Sequence, residues 1–233
     1  MDSLRYIIKS VGPKLIPFFK TVAIYFVILP SQENPSLLGT ILKCLPVASL
    51  VLFVLLHGMS LDEQFKYSRR IVIGLAFCCV GDALLAWPGY FETGIIAFGI
   101  GHFSYILAFG FEPINVSMGI AILGLCVTSI IYLLPGIKGL PLTVGVPIYI
   151  FLIATMIWRA LAQLSTIKDL RNWNKVCSST GGLLFVISDL MLGINMFKFK
   201  INHAQTLVMS SYYTAQLAIA LSVVDSSHFP IYN

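Results

Sequence analysis

The 233-residue sequence is 58% hydrophobic and only 11% charged, and its formal net charge is +5. Soluble globular domains have about one quarter charged residues, so this composition excludes an ordinary soluble domain and is typical of a polytopic membrane protein. The basic excess does not indicate nucleic-acid binding, because the sequence has neither a basic domain nor basic residues interleaved with aromatic ones.

Apolar runs bounded by charged residues, proline or glycine predict eight membrane spans in one transmembrane domain that covers residues 1–233. Each run is close to the roughly 17–25 residues that a spanning helix needs. A backbone in hydrocarbon must satisfy its hydrogen bonds within its own segment, so the predicted fold class is an all-α, polytopic integral membrane helix bundle. In chain order, the predicted spans are Pro13–Pro30, Ser36–Gly58, Arg69–Trp87, Gly94–Phe111, Ser117–Pro135, Leu142–Leu164, Asn174–Phe197 and His203–Ser226.

Basic residues are concentrated on one side of the predicted bundle. The side with few basic residues carries only Lys138, Lys198 and Lys200. Cytoplasmic ends of membrane proteins are enriched in lysine and arginine, so both termini are predicted to be cytoplasmic. The basic side carries Arg5, Lys9, Lys14, Lys66, Arg69, Arg70, Lys168, Arg171 and Lys175, with Arg159 nearby.

Two aspartates lie inside predicted spans, Asp82 in the third and Asp189 in the seventh. A carboxylate near the middle of a bilayer costs about 2.5–3.5 kcal/mol on insertion scales. Ionisable residues at such a depth usually mark a functional site, and two of them in one small chain strengthen that hypothesis. The alternative is a structural ion pair between an aspartate and Lys20 or Lys43.

The segments around the two aspartates resemble each other. Gly81–Ala86 aligns with Ser188–Gly193, and a tyrosine follows each aspartate by 23 residues, at Tyr105 and Tyr212. This pattern predicts a duplicated four-helix unit, over about 13–112 and 117–226, whose halves are parallel and related by an axis along the membrane normal. Because the aligned segments are short, a chance similarity is the alternative.

The depths of the polar side chains indicate a single polar chamber in the outer half of the bundle. Counted at about 1.5 Å per residue, the depth from the outer face is roughly 8–14 Å for Asp82, Lys43, Tyr149, His102, Asp189 and Tyr212, with Lys20 slightly deeper. Each also has a structural alternative: a snorkelling lysine, a packing histidine, or a tyrosine of the core or interface. With Asp82 and Asp189 as candidate catalytic residues, the candidate supporting residues are Lys43, His102, Tyr105, Tyr149, Asn195, Tyr212 and Lys20.

No motif indicates a metal or another cofactor. The sequence lacks H-E-x-x-H, G-x-S-x-G and C-x-x-C, its four histidines do not cluster, and its five cysteines are interpreted as small hydrophobic core residues. We therefore predict chemistry without a cofactor. The open alternative is a metal ion held by Asp82, Asp189 and His102.

An ordered set of short motifs resembles the lysoplasmalogenase family, the YhhN-like membrane proteins. The resemblance covers nearly the whole chain, and Gly12–Lys20 resembles the animal branch of the family. Any one motif is weak, but their order is specific. The motifs are Lys43–Pro46, Val80–Trp87, His102–Tyr105, Ala108–Phe111, Trp158–Leu161, Gly182–Asp189 and Tyr212–Ala220.

The resemblance implies an eight-span enzyme of the endoplasmic reticulum membrane. Its substrates would be lysoplasmalogens, a class of lysophospholipid, whose vinyl ether bond is hydrolysed to a fatty aldehyde and glycerophosphoethanolamine or glycerophosphocholine. Vinyl ether hydrolysis passes through an oxocarbenium ion, and glycosidases handle such an ion with one acidic and one ionised carboxyl group. We therefore expect Asp82 and Asp189 to act as general acid and general base, in an order that the residues alone leave open.

Two other functions remain open on the sequence. Ionisable residues in the membrane and a parallel repeat are also typical of a transporter for lipids or small molecules. A protein that binds or scrambles lysolipid without catalysis is a third reading.

Overall fold

The computed structural model describes residues 2–28, 34–57, 65–164, 169 and 172–224, with side chains described from residue 11 onward. The described chain is all-helical, which confirms the predicted fold class at this level. The helices are α1 (Asp2–Ile28), α2 (Leu37–Leu56), α3 (Lys66–Leu85), α4 (Phe91–Phe109), α5 (Val116–Leu133), α6 (Leu140–Ala162), α7 (Trp173–Phe197) and α8 (Ala204–Leu221), and a 3₁₀ turn (Leu134–Gly136) follows α5.

Six of these helices are long and apolar enough to cross a membrane, and the protein is an integral membrane helix bundle. The other two, α3 and α8, carry polar side chains within their apolar runs. Helix α3 contains Arg69, Arg70 and Asp82, and α8 contains two glutamines together with several serines and tyrosines. Both helices contribute buried polar side chains to the bundle interior, among them Asp82 on α3 and Gln216 on α8. These residues account for part of the polarity of the two helices.

Local sequence explains where several helices begin and end. The side chains of Ser36, Asn115 and Asn172 accept hydrogen bonds from backbone N–H groups in the first turns of α2, α5 and α7. Gly110, with φ of 75°, follows the last residue of α4, and such a left-handed conformation costs glycine little. The described helices correspond one to one with the predicted spans, although α1 begins at Asp2 rather than Pro13.

Some of the sequence-based predictions lie outside the described part of the chain. The predicted span ends Pro30, Gly58 and Ser226 are among them, as are the basic residues Lys168 and Arg171. Arg159 is buried, and its guanidinium donates hydrogen bonds to the carbonyl oxygens of Gly110 (2.7 Å) and Pro113 (3.0 Å). It therefore holds the connection between α4 and α5 against α6.

The helices pack as pairs that are joined through the centre of the bundle. Helix α3 packs along α4 and α7 along α8, while α4 against α6 and α2 against α8 connect the two halves. Glycines allow two of these close approaches. A Cβ atom at Gly74 would lie within the ring of Tyr105, and one at Gly181 would lie 2.9 Å from the carbonyl oxygen of Ala215. The close packing directs the tyrosines of α4 and α8 into the interior.

Candidate active site

A cavity of about 470 Å³ lies among the helices and opens at one end of the bundle. Its mouth is formed by the start of α2, the α3–α4 connection and the α7–α8 connection, with Ser36, Trp87, Gly89 and Lys200 among the residues there. The polar residues predicted from sequence that line the cavity are Lys43, Asp82, Tyr149, Asp189, Asn195 and Tyr212.

Asp82 is buried next to a cation and a phenol. Its side chain is only 2% exposed. Oδ1 of Asp82 lies 3.7 Å from Nζ of Lys43, and the hydroxyl of Tyr212 donates a 2.6 Å hydrogen bond to Oδ2. The backbone of Lys43 is also fixed in place, because its carbonyl oxygen accepts a 2.8 Å hydrogen bond from the hydroxyl of Tyr213. Negative charge on Asp82 is thus compensated by an adjacent ammonium group.

Asp189 is partly exposed to the same cavity and has a different set of neighbours. The hydroxyl of Tyr149 donates a 2.5 Å hydrogen bond to Oδ2 of Asp189. Nε2 of His102 lies 3.1 Å from that hydroxyl, and Nδ1 of His102 lies 3.2 Å from the sulfur of Met156. Within the described part of the chain, no ammonium or guanidinium group pairs with Asp189. Both carboxyl groups line this one cavity.

Aromatic rings close the inner end of the cavity. The ring of Phe185 lies 4.5 Å from that of His102 and 5.4 Å from that of Tyr212, both edge to face. Phe98 lies 5.9 Å from Tyr212 and also lines the cavity. Phe185 and His102 have no exposed surface, so this layer separates the carboxyl groups from the other end of the bundle.

Tyr105 lies beyond this layer and not in the cavity lining. It is fully buried, and its hydroxyl donates a 2.8 Å hydrogen bond to Oε1 of Gln216 on α8. Tyr105 and Tyr212 occupy aligned positions in sequence, yet only Tyr212 reaches a carboxylate. His102 likewise reaches the site through Tyr149 rather than by lining the cavity.

The structure does not bring Lys20 to the site. Its side chain lies on the exposed face of α1, whereas Val11, Leu15, Phe18 and Tyr25 form the buried face. Of the two proposed lysine partners, Lys43 faces a carboxylate and Lys20 does not. Asn195 lines the cavity, and its side-chain oxygen accepts a 2.9 Å hydrogen bond from the backbone N–H of Ile201, which orders the α7–α8 connection.

Gln205 and Tyr25 are among the cavity residues that were not identified from the sequence. Nε2 of Gln205 on α8 donates a 3.1 Å hydrogen bond to the hydroxyl of Tyr25 on α1, and both side chains line the cavity. The available sequence signal was the helical spacing of Val11, Leu15, Phe18 and Tyr25, which places these residues on one face of α1. Across the described residues, no group of three histidine, cysteine, aspartate or glutamate side chains is placed to hold a metal ion. The absence of a metal requirement stays a prediction.

Residues 38–223 match the YhhN family. The chain belongs to the YhhN family. This finding confirms the resemblance identified from the motifs. The matched region contains both aspartates, Lys43, His102 and all the tyrosines that contact a carboxylate, whereas Lys20 and Tyr25 lie outside it.

Curated relatives in animals match over most of their own length. The human protein named Lysoplasmalogenase TMEM86A is 39% identical over 94% of this chain and 92% of its own length. The bovine protein of the same name is 38% identical with the same coverage. The pig protein named Lysoplasmalogenase TMEM86B is 37% identical over 93% of this chain and 88% of its own length. No solved structure matches the chain.

Proposed function

We propose that this YhhN-family protein is a lysoplasmalogenase, which hydrolyses the vinyl ether bond of a lysoplasmalogen within the membrane. The products are a fatty aldehyde and glycerophosphoethanolamine or glycerophosphocholine. The observation that carries the proposal is the pair of carboxyl groups in one cavity, of which only Asp82 has a cationic partner among the described residues. The names of the relatives that match almost end to end support the same reaction.

The first step requires an acid, and we assign that role to Asp189. Protonation of the β-carbon of a vinyl ether produces an oxocarbenium ion at the carbon attached to oxygen. Asp189 receives its hydrogen bond from the neutral phenol of Tyr149, and no cation of the described residues pairs with it, so it is the better placed group to carry a proton. Asp82 is ionised beside Lys43, and its negative charge stabilises the cationic intermediate.

The remaining steps return both carboxyl groups to their starting states. Water adds to the oxocarbenium carbon and Asp82 accepts the released proton, which yields a hemiacetal. Asp82 then donates that proton to the glycerol oxygen as the carbon–oxygen bond breaks. Asp189, now ionised, accepts the hydroxyl proton of the hemiacetal, so the aldehyde forms and Asp189 is protonated again. The cycle consumes one water and needs no external acid, base or metal.

The two tyrosines position the carboxyl groups in this scheme. Tyr212 orients Asp82 through a 2.6 Å hydrogen bond and Tyr149 orients Asp189 through one of 2.5 Å. His102 acts one step further away, because its ring contacts the hydroxyl of Tyr149. We expect the loss of His102 to act through Tyr149.

We further propose that all eight helices span the membrane of the endoplasmic reticulum and that both termini are cytoplasmic. This follows from the excess of basic residues on one side, which includes Arg69 and Arg70 at the start of α3. The cavity mouth at Ser36 and Gly89 lies at the opposite ends of the helices. The site would then open toward the lumen, where the water-soluble product is released.

The packing supports a duplicated four-helix unit. If α1–α4 correspond to α5–α8, the contact of α2 with α8 corresponds to that of α6 with α4, and both contacts are present. The α3–α4 and α7–α8 pairs correspond as well. Lys43 precedes Asp82 by 39 residues and Tyr149 precedes Asp189 by 40, so the two carboxyl partners on α2 and α6 also occupy related positions.

Aldehyde release by the purified protein in detergent tests the proposed reaction. Lysoplasmenylethanolamine is the substrate, and the acyl lysophospholipid with the same headgroup is the matched control. We expect aldehyde from the vinyl ether lipid alone, and the same rate after a strong chelator is added. A rate that the chelator abolishes and zinc restores would instead identify Asp82, Asp189 and His102 as metal ligands.

A transporter is the second candidate, because the cavity holds ionisable groups inside a bundle whose halves pack alike. The detergent assay separates the two functions. An enzyme makes aldehyde without a membrane gradient, whereas a carrier makes no product. Lysolipid binding without product, unchanged in Asp82→Asn and Asp189→Asn, would favour a non-catalytic lipid-binding protein.

A further inference from the structure

Beside Asp189, the cavity lining contributed by α5, α6 and α7 is mostly apolar, and we call this part of the cavity the arm. On α6 the arm is lined at helical spacing by Val146, Ile150 and Ile153, on either side of Tyr149. On α7 it is lined by Val186 and Leu190. The α5 side completes the arm with Ser129 and Leu133.

Helices α5 and α7 meet along a short seam beside the arm. Helix α5 packs mainly along α6 and approaches α7 near Gly193, where an added Cβ atom would lie 3.2 Å from Cδ1 of Leu133. Leu190 lines the cavity and is also 39% exposed, and Ser129 is partly exposed. The seam is therefore a place where an apolar chain can pass between the bilayer and the carboxyl groups.

The other directions from the carboxyl groups do not suit an apolar chain. The inner end is closed by the rings of His102, Phe185 and Tyr212. The mouth carries polar groups, including Ser36 and Lys200, and suits a zwitterionic headgroup. A vinyl ether lies at the junction of headgroup and chain, so the two must leave the reacting bond in different directions. The cavity offers both, because its mouth is polar and the arm is apolar.

We infer that the arm between α5, α6 and α7 binds the alkenyl chain of the lysolipid and is the portal through which it comes from the bilayer. This inference rests on the proposed function, because it takes the long-chain vinyl ether as the substrate. Ser129 and Leu133 are then residues that determine chain-length selectivity.

Two neighbouring residues of α5 provide a matched pair of variants. The hydroxyl of Ser129 donates to the carbonyl oxygen of Leu125 (2.8 Å) and that of Thr128 to Gly124 (2.9 Å), so each bond is internal to the helix. Ser129 lines the arm, whereas Thr128 is exposed on the outer face. Ser129→Phe fills the arm, and Thr128→Phe adds the same ring outside it.

The two variants are compared on an octadecenyl lysolipid and on a butenyl analogue with the same headgroup. Ser129→Phe should lower kcat/KM for the long chain at least about tenfold and leave the short chain within about twofold, since pocket contacts of this size discriminate by such factors. Thr128→Phe should change neither. Equal rates for Ser129→Phe and Thr128→Phe on the long chain would overturn the inference.

Photolabelling of the unaltered protein locates the alkenyl chain of the lysolipid and does not depend on catalytic activity. The probe is a lysolipid with a diazirine at the end of its chain. Labels should fall on α5, α6 and α7, at residues such as Ile150 and Leu190. Labels on the shallow apolar groove between α2 and α3, which is lined by Ile41, Ala48 and Val80, would overturn the inference. If the unaltered protein releases no aldehyde, the proposed function fails while the labels still locate the chain.

Discussion

The two carboxyl groups of the cavity lie in similar sequence segments but in different chemical environments. Asp82 is buried and faces the ammonium group of Lys43 at 3.7 Å. Asp189 is partly exposed to the cavity, and the phenol of Tyr149 is its hydrogen-bond donor. An ammonium compensates negative charge, whereas a phenol can contact either protonation state of a carboxyl group. One pair of like residues can therefore perform two different tasks.

The strongest test of this comparison removes each carboxylate in turn. Asp82→Asn and Asp189→Asn keep the size of the side chain but abolish its proton transfer. Each should lower the rate of aldehyde release by about 10²–10⁴-fold, the usual contribution of a positioned acid or base. Folded protein in the membrane is the control, measured by gel filtration in detergent. More than a few per cent of activity in either variant would refute the two-carboxylate mechanism.

Replacement of Lys43 tests whether the cation matters to Asp82 alone. Lys43→Met roughly keeps the length of the aliphatic stem, removes the ammonium group and leaves a buried carboxylate without its cation. Hydrogen bonds and pairs with charged groups contribute about 1.5–3 kcal/mol, so the rate should fall about 10- to 100-fold. Lys43→Arg should recover part of the loss. A Lys43→Met enzyme with unchanged kcat would remove the distinction between the two carboxyl groups.

Loss of the Tyr149 hydroxyl should lower kcat more than loss of the Tyr212 hydroxyl. Tyr149→Phe removes the hydrogen-bond donor of Asp189 and should cost about tenfold in kcat, while Tyr212→Phe should cost less because Lys43 still faces its carboxylate. His102→Ala should cost less again. In a double-mutant cycle, His102→Ala should add little to Tyr149→Phe, because the histidine contacts that hydroxyl. Fully additive losses would show that His102 does not act through Tyr149.

The pH dependence of kcat/KM reports the two protonation states that the mechanism requires. Asp189 must be protonated, so activity falls as the pH rises and its proton is lost. Asp82 must be ionised, so activity falls as the pH decreases and it becomes protonated. The profile should therefore have two limbs. A profile with one limb would mean that only one of the carboxyl groups takes part in proton transfer.

The smallest expected effect concerns topology. Asn115 begins a glycosylation sequon, but the proposed orientation places it on the cytoplasmic side. Its side-chain oxygen also accepts a 3.1 Å hydrogen bond from the N–H of Met118 as the cap of α5. Treatment with a glycosidase should leave the electrophoretic mobility of the membrane protein unchanged. A glycan at Asn115 would invert the proposed topology and place the cavity mouth in the cytoplasm.

The sequence by itself determined the helical class, the family and the identity of the two unusual carboxyl groups. Long apolar runs can satisfy their backbone only as helices, and an aspartate among them carries a large cost, which makes a functional site the first hypothesis. It also predicted that Lys43, Tyr149 and Tyr212 share a chamber with the aspartates, because depth along a helix follows from residue counting.

Rotation about each helix axis and contacts between distant segments were decided only by the tertiary structure. Depth does not say which way a side chain faces, so Lys20 was grouped with the site although the buried stripe of α1 places it on the outer face. The aligned Tyr105 and Tyr212 differ for the same reason: Tyr105 packs against Gly74 and reaches Gln216, while Tyr212 reaches Asp82. The partner of each carboxyl group depends on how the helices pack, which local sequence does not encode.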